Sequence, residues 1–121
     1  MTILVTAALA LGLHLLFSWP WTIAAGVVGG LWVGAGGWRV GALGVGLDWA
    51  ALIVYNYVVA PQPVATMTET VGGILGNMPG AAVVACTLFI GLALGALGGA
   101  FGAHVRRALD HQRGAPLATS T

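Results

Sequence analysis

The stretch that decides the fold is VGALGVGLDWAALIVYNYVVA, residues 40–60, in which Asp48 is the only charged side chain. An α-helix needs about 20 apolar residues to cross the roughly 30 Å hydrocarbon layer of a bilayer. This stretch is long enough to do so, although an acidic side chain near its centre is costly in lipid. The segment therefore predicts a membrane-spanning helix that carries one buried polar group.

Similar apolar runs lie on both sides of this stretch. The sequence predicts four spans in total, at residues 3–19, 21–38, 40–60 and 81–105. A cleaved signal peptide is the alternative for the first run, but its start lacks basic residues and no small-x-small cleavage site follows it. We therefore predict an all-α integral membrane protein, a four-transmembrane-helix bundle. It forms a single domain over residues 1–113, and residues 114–121 form a short disordered cytoplasmic tail.

The composition of the whole chain agrees with a membrane protein. Of its 121 residues, 59% are hydrophobic and only 6% are charged, and the mean hydropathy is +0.97. A soluble domain carries charges at roughly a quarter of its positions. These values argue against a soluble enzyme domain and a disordered chain. The formal net charge of +1 also argues against a nucleic-acid partner, which would require a basic surface.

The basic residues predict the orientation of the chain in the membrane. With four spans, every basic residue falls on the same side as the two termini, and these residues are Arg39, Arg106, Arg107 and Arg113. Basic residues are concentrated in cytoplasmic segments of membrane proteins. The sequence therefore predicts a multi-pass protein of the inner (plasma) membrane with both termini in the cytoplasm.

The segment between the third and fourth spans predicts a short amphipathic interfacial helix over residues 67–78. Thr66-x-x-Glu69 has the spacing of a capping box. Apolar residues then recur at helical spacing until Pro79 and Gly80, and these are Met67, Val71, Ile74, Leu75 and Met78. We interpret this helix as a lid on the outer end of the bundle, with a re-entrant or gating element as the alternative.

Two of the predicted spans carry glycines at every fourth position. The second has Gly26, Gly30 and Gly34, and the fourth has Gly91, Gly95 and Gly99. Small residues at this spacing form a flat groove that lets two helix backbones approach closely. The partner of each groove is either a helix of the same chain or a helix of a second copy. The pattern therefore predicts close packing and favours self-association through the glycine grooves.

The chain also contains a possible internal repeat. Residues 7–14 align with residues 41–48 at a shift of 34, and this alignment places His14 over Asp48. The glycine pattern from Gly26 aligns in the same direction with that from Gly95, which is compatible with a parallel duplication of a helix hairpin. Chance similarity is the alternative, because short matches are common in a chain rich in Ala, Gly and Leu.

Asp48 and His14 are the candidate ion-coupling or buried polar residues. A carboxyl group near the bilayer centre is expected to face the protein interior and to have a partner or a bound proton. The alternative is a hydrogen-bonded pair that only fixes helix packing. Arg39 and Asn56 are possible secondary polar contacts. One cysteine, Cys86, and no second histidine at the same depth predict neither a metal site nor a cofactor.

These features predict a function class without enzymatic activity, since no P-loop, nucleophile elbow or pair of catalytic carboxylates is present. In length alone the chain resembles small oligomeric channels and exporters. The leading hypothesis is a homo-oligomeric channel or transporter for a proton or small ion. The alternative is a non-catalytic accessory or assembly subunit of a larger membrane protein complex.

Overall fold

The computed structural model describes residues 1–114, and all regular structure in this range is helical. The elements are α1 (Thr2–Phe17), α2 (Thr22–Val33), α3 (Gly37–Val59), α4 (Pro61–Ile74) and α5 (Gly80–Gly114). A single 3₁₀ turn, Trp19–Trp21, joins α1 to α2. The predicted disordered tail, apart from Gly114, lies outside the described residues.

The helices differ greatly in length. At 1.5 Å per residue, α3 and α5 extend over about 35 and about 52 Å, whereas α1 and α2 extend over only about 24 and about 18 Å. By length and composition, α3 and α5 are the two described helices that could cross a membrane. The helix at the predicted second span is therefore shorter than expected, whereas α1 is about as short as the predicted first span. Among the described helices, those at the third and fourth predicted spans have the required length.

The second predicted span ends early because of its glycines. α2 stops at Val33, and the next residue, Gly34, has a φ of 71°, a backbone conformation that glycine adopts without steric cost. Gly36 has a φ of 81° and completes the turn into α3. The prediction that the second span continues to residue 38 is therefore wrong. Trp38 and Arg39 belong to the first turn of α3.

The helix between the two long ones also differs from its predicted form. α4 begins at Pro61, not at residue 67, because proline is well suited to the first turn of a helix. Thr66 consequently lies inside α4, where its carbonyl accepts a hydrogen bond from the Thr70 hydroxyl, so the predicted capping box is absent. α4 ends at Ile74, and Gly76 and Asn77, both with positive φ, form the turn before α5.

The two long helices pack against each other and leave much of their surface exposed. α5 also packs on α2, while α1 packs on α2 and α3, and α4 covers the C-terminal end of α3 and the N-terminal end of α5. Only 22% of the most apolar part of α3 and 11% of that of α5 is buried. Large apolar side chains such as Phe89, Leu97 and Phe101 are therefore exposed along α5.

Arg106 fastens α5 to the C-terminal end of α2. Its guanidinium Nη1 donates to the carbonyl oxygens of Leu31, at 3.2 Å, and Trp32. Both carbonyls belong to the last turn of α2, where helix geometry leaves them without partners in the helix itself. The side chain also lies 3.7 Å from Asp110, but that pair is exposed and contributes little.

Replacing Arg106 by Ala is expected to lower the free energy of unfolding by about 1.5–3 kcal/mol, because a charge-assisted hydrogen bond to the end of α2 is lost. Unfolding of the detergent-solubilised protein by a denaturing detergent measures this effect. Arg107→Ala is the matched control, since Arg107 has the same charge and is exposed. Equal losses in the two variants would contradict the assigned role of Arg106.

Candidate functional site

The structure brings His14 and Asp48 together between α1 and α3. His14 Nδ1 lies 3.4 Å from Asp48 Oδ2, which is a long hydrogen bond between two titratable groups. The imidazole also packs against the indole of Trp49, with ring centroids 6.0 Å apart and a tilt of 58°. The two residues that the repeat alignment places at equivalent positions are therefore a contacting pair.

Asp48 points inward because it lies on the glycine-rich face of α3. The buried residues of this helix recur at helical spacing, and they include Gly37, Gly41, Gly44, Val45 and Asp48. Such residues share one side of a helix, since positions three and four apart are neighbours on its surface. The sequence spacing Gly37-x-x-x-Gly41 is thus a signal that identifies the buried face, and the prediction missed it.

The two members of the pair differ in exposure. The Asp48 side chain is fully buried, whereas 24% of the His14 side chain is exposed. Asp48 Oδ1 has no hydrogen-bond partner among the described residues, and the same holds for Trp49 Nε1. The carboxyl group therefore has its one side-chain partner in His14, which lies closer to the protein surface.

An open pocket of about 420 Å³ adjoins His14. We call it the histidine pocket, and its walls come from the end of α1, the Trp19–Trp21 turn, α3 and α5. It is lined by His14, Leu15, Trp19, Trp49, Leu52, Ile53, Asn56 and Thr87, and Asp48 does not line it. The short α1 creates this recess, because α1 ends at Phe17 while α3 continues past it to Val59.

The other two predicted polar residues, Asn56 and Arg39, lie in different places. Asn56 lies two turns beyond Asp48 on α3 and lines the histidine pocket. Arg39 lies in the first turn of α3, where its guanidinium carbon is 5.3 Å from the centroid of the Trp38 ring. Nine residues separate Arg39 from Asp48 along the helix, or about 13 Å. The structure therefore brings Asn56 to the site and leaves Arg39 at the opposite end.

The predicted glycine grooves contact each other within one chain. Gly26 and Gly30 of α2 pack on Gly95 and Gly99 of α5, so closely that a Cβ atom at Gly26 would lie 3.0 Å from the Gly95 carbonyl oxygen. Gly91 packs on the Trp49 side chain. Gly34 is the exception, since it lies in the turn after α2 beside Arg106 and not in a helical groove.

Gly95 and Gly99 contact α3 as well, at Gly37 and Gly41. α2 and α3 thus both pack on the glycine face of α5, where their backbones are close enough to gain van der Waals contact. The glycine faces are covered by neighbouring helices of the same chain. Self-association through them therefore stays a prediction without a free groove to support it.

The repeat positions contact their own equivalents at three places, His14 with Asp48, Gly26 with Gly95, and Gly30 with Gly99. Contacts between equivalent residues are typical of a two-fold axis. The two-fold symmetry is approximate. The repeat makes the pair α1 and α5 equivalent to the pair α3 and α2, yet α2 packs on α3 whereas α1 does not contact α5 within residues 1–114.

Chemically, the pair can exchange one proton between Nδ1 and Oδ2. No group of three His, Cys, Asp or Glu side chains that could hold a metal ion occurs in the described part of the chain. The site and fold together define an all-helical protein with two long apolar helices and a buried His–Asp pair beside an open pocket. Comparisons with protein-family profiles, curated proteins and solved structures found no match to this chain.

Proposed function

We propose that this chain is a multi-pass membrane protein that moves a proton, alone or in exchange for another small ion, by means of the His14–Asp48 pair. The observation that carries the proposal is the buried Asp48 carboxyl group hydrogen-bonded to a histidine that lines an open pocket. Acidic and histidine side chains that contact one another are typical of proton pathways in membrane proteins.

Membrane residence is supported by the exposed surface of the two long helices. A core helix of a soluble protein is mostly buried, whereas α3 and α5 leave most of their apolar residues uncovered. An uncovered apolar surface of this kind is stable in contact with lipid chains and unfavourable in water. In the proposed arrangement all four main helices cross or enter the bilayer, and α4 lies at the outer surface.

The proposed orientation follows from the arginines. Arg39 lies where α3 begins and Arg106 contacts the end of α2, so the two side chains lie at the same end of the bundle. We place this end in the cytoplasm, because basic residues accumulate on that side. The histidine pocket, built from the Trp19–Trp21 turn and the C-terminal half of α3, then opens near the outer surface.

In the proposed mechanism His14 is the exchange point between the pocket and the interior. A proton that reaches the imidazole from the pocket passes from Nδ1 to Asp48 Oδ2. Water does not deliver a proton to Asp48 directly, because this side chain is fully buried. For net transport Asp48 then releases the proton toward the arginine end of the bundle, and the pair is ready for the next proton from the pocket. A histidine suits this role, since its two ring nitrogens can each carry or release a proton. No catalytic chemistry is proposed.

The experiment is proton uptake by vesicles that contain the purified full chain and a pH-sensitive dye. The unmodified protein is expected to acidify the lumen under an imposed gradient, and His14→Gln is expected to reduce the rate to that of protein-free vesicles. Glutamine can hydrogen-bond to Asp48 but does not titrate. His104→Gln is the matched control, because His104 is exposed and its ring bonds to the carbonyl of Ala100 in its own helix.

The second candidate function is a non-catalytic accessory subunit of a larger membrane complex. The complete burial of the Asp48 side chain favours it, since a purely structural polar pair would also be enclosed. Any second subunit or second copy would have to use an exposed face such as that of Phe89, Leu97 and Phe101. Absence of proton uptake by the unmodified protein, together with co-purification in a stable complex, would replace the transport proposal by this one.

A further inference from the structure

A second pocket adjoins the histidine pocket and shares part of its wall. We call it the α4 pocket, because it lies between α4, the C-terminal half of α3 and the first turns of α5. It also has a volume of about 420 Å³, and Ile53, Asn56 and Thr87 line both pockets. Each volume is within the range of small-molecule sites, about 300–1,000 Å³.

The two pockets have different linings. The histidine pocket has three aromatic side chains in its wall, His14, Trp19 and Trp49, beside the aliphatic Leu15, Leu52 and Ile53. Aliphatic side chains dominate the α4 pocket, where Val64, Val71 and Val83 come from two facing helices. Aromatic rings favour flat, ring-containing groups, and aliphatic walls favour alkyl chains. The shape and chemistry together fit a molecule with a flat head and an alkyl tail.

Polar groups lie where such a head would be placed. The Asn56 side chain is exposed and lines both pockets, so its amide can donate to a carbonyl oxygen of a bound molecule. His14 uses Nδ1 toward Asp48, so Nε2 is the ring nitrogen left for a ligand. The proton position in the pair decides whether Nε2 donates or accepts, since a neutral imidazole carries one N–H.

We propose that the two adjoining pockets together bind an alkyl-tailed quinone, with its ring beside the aromatic side chains of the histidine pocket and its tail passing over the shared residues into the α4 pocket. A quinone carbonyl is a hydrogen-bond acceptor for the Asn56 amide and for an Nε2–H of His14. Binding requires no proton movement, so this inference goes beyond the proposed function and does not depend on it.

The test is quenching of tryptophan fluorescence in the purified full chain by a decyl-substituted benzoquinone, because Trp19 and Trp49 line the proposed head site. Saturable quenching is expected. Asn56→Leu is expected to raise the dissociation constant about 5- to 10-fold, which corresponds to the loss of one hydrogen bond. Tyr55→Phe is the matched control, because Tyr55 is on the same helix, is exposed and lines neither pocket.

The tail is tested separately with Val84→Phe, which adds volume inside the α4 pocket. This variant is expected to weaken binding of the decyl compound while leaving unsubstituted benzoquinone unaffected. Val58→Phe adds the same volume at a position that is 75% exposed and outside both pockets, and it is expected to bind as the unmodified protein does.

Two results would overturn the inference. Equal quenching in the unmodified protein, Asn56→Leu and Val84→Phe would mean that the quinone only partitions into detergent. Full displacement by decylbenzene, which has the tail without carbonyl groups, would mean that the cleft holds an alkyl chain only. Saturable binding without proton uptake would contradict the proposed function alone, and proton uptake without saturable binding would contradict the quinone site alone.

Discussion

Replacing Asp48 by asparagine is expected to reduce proton uptake by reconstituted vesicles to the rate of protein-free vesicles while the helices stay assembled. Asparagine has nearly the same shape as aspartate and can still hydrogen-bond to His14 Nδ1, but it cannot take up or release a proton. The measurements are dye-reported proton uptake, circular dichroism and the elution profile of the solubilised protein.

Asp110→Asn is the control for this variant, because it makes the same chemical change at a side chain that is 60% exposed. It is expected to leave proton uptake unchanged. The double variant His14→Gln with Asp48→Asn keeps a hydrogen-bonded amide pair and separates structure from transport. Unimpaired uptake in either Asp48 variant would show that the pair only holds α1 against α3.

Replacing Gly99 by alanine is expected to lower the free energy of unfolding by about 3 kcal/mol or more, the upper end of the usual cost of overpacking. A Cβ atom at this position would overlap the Gly37 backbone and would lie 3.1 Å from the Gly41 Cα atom. Backbone atoms cannot rotate out of the way as a flexible side chain can, so α3 and α5 would have to separate. The free energy of unfolding in a denaturing detergent is the measurement.

Gly12→Ala provides the comparison for the Gly99 variant. No atom lies within 4 Å of a Cβ atom built at Gly12, and alanine is favoured over glycine in a helix by up to about 1 kcal/mol. This variant is therefore expected to be as stable as the unmodified protein or slightly more stable. A Gly99 variant of equal stability would contradict the close contact between α3 and α5.

Much of the fold could be predicted from local sequence patterns. Long apolar runs identified α3 and most of α5, and the glycine spacing identified Gly95 and Gly99 as packing residues. The pair of His14 and Asp48 followed from aligning two apolar segments, because residues at equal depth in neighbouring helices can meet. These features depend on one helix at a time, or on one alignment.

The remaining features depend on backbone conformation and on distant parts of the chain. Hydropathy gave no reason to end α2 at Val33, since Gly34 and Gly36 are as compatible with an apolar run as with a turn. α4 begins at Pro61, but the sequence also contains the capping-box pattern Thr66-x-x-Glu69. The local sequence therefore did not favour the earlier start over the later one. The recess beside His14 exists because α1 is shorter than α3, which requires knowing both ends of both helices.

The position of α5 has a consequence for the biogenesis of the protein. α5 is synthesised after the other described helices, yet it covers the glycine faces of α2 and α3 and supplies Arg106 to the carbonyls at the end of α2. Until α5 is made, these glycine faces lack the backbone contact that it provides, and the carbonyls of Leu31 and Trp32 lack the Arg106 donor. The order of synthesis therefore makes the packing of α2 and α3 depend on the described helix that is translated after all the others.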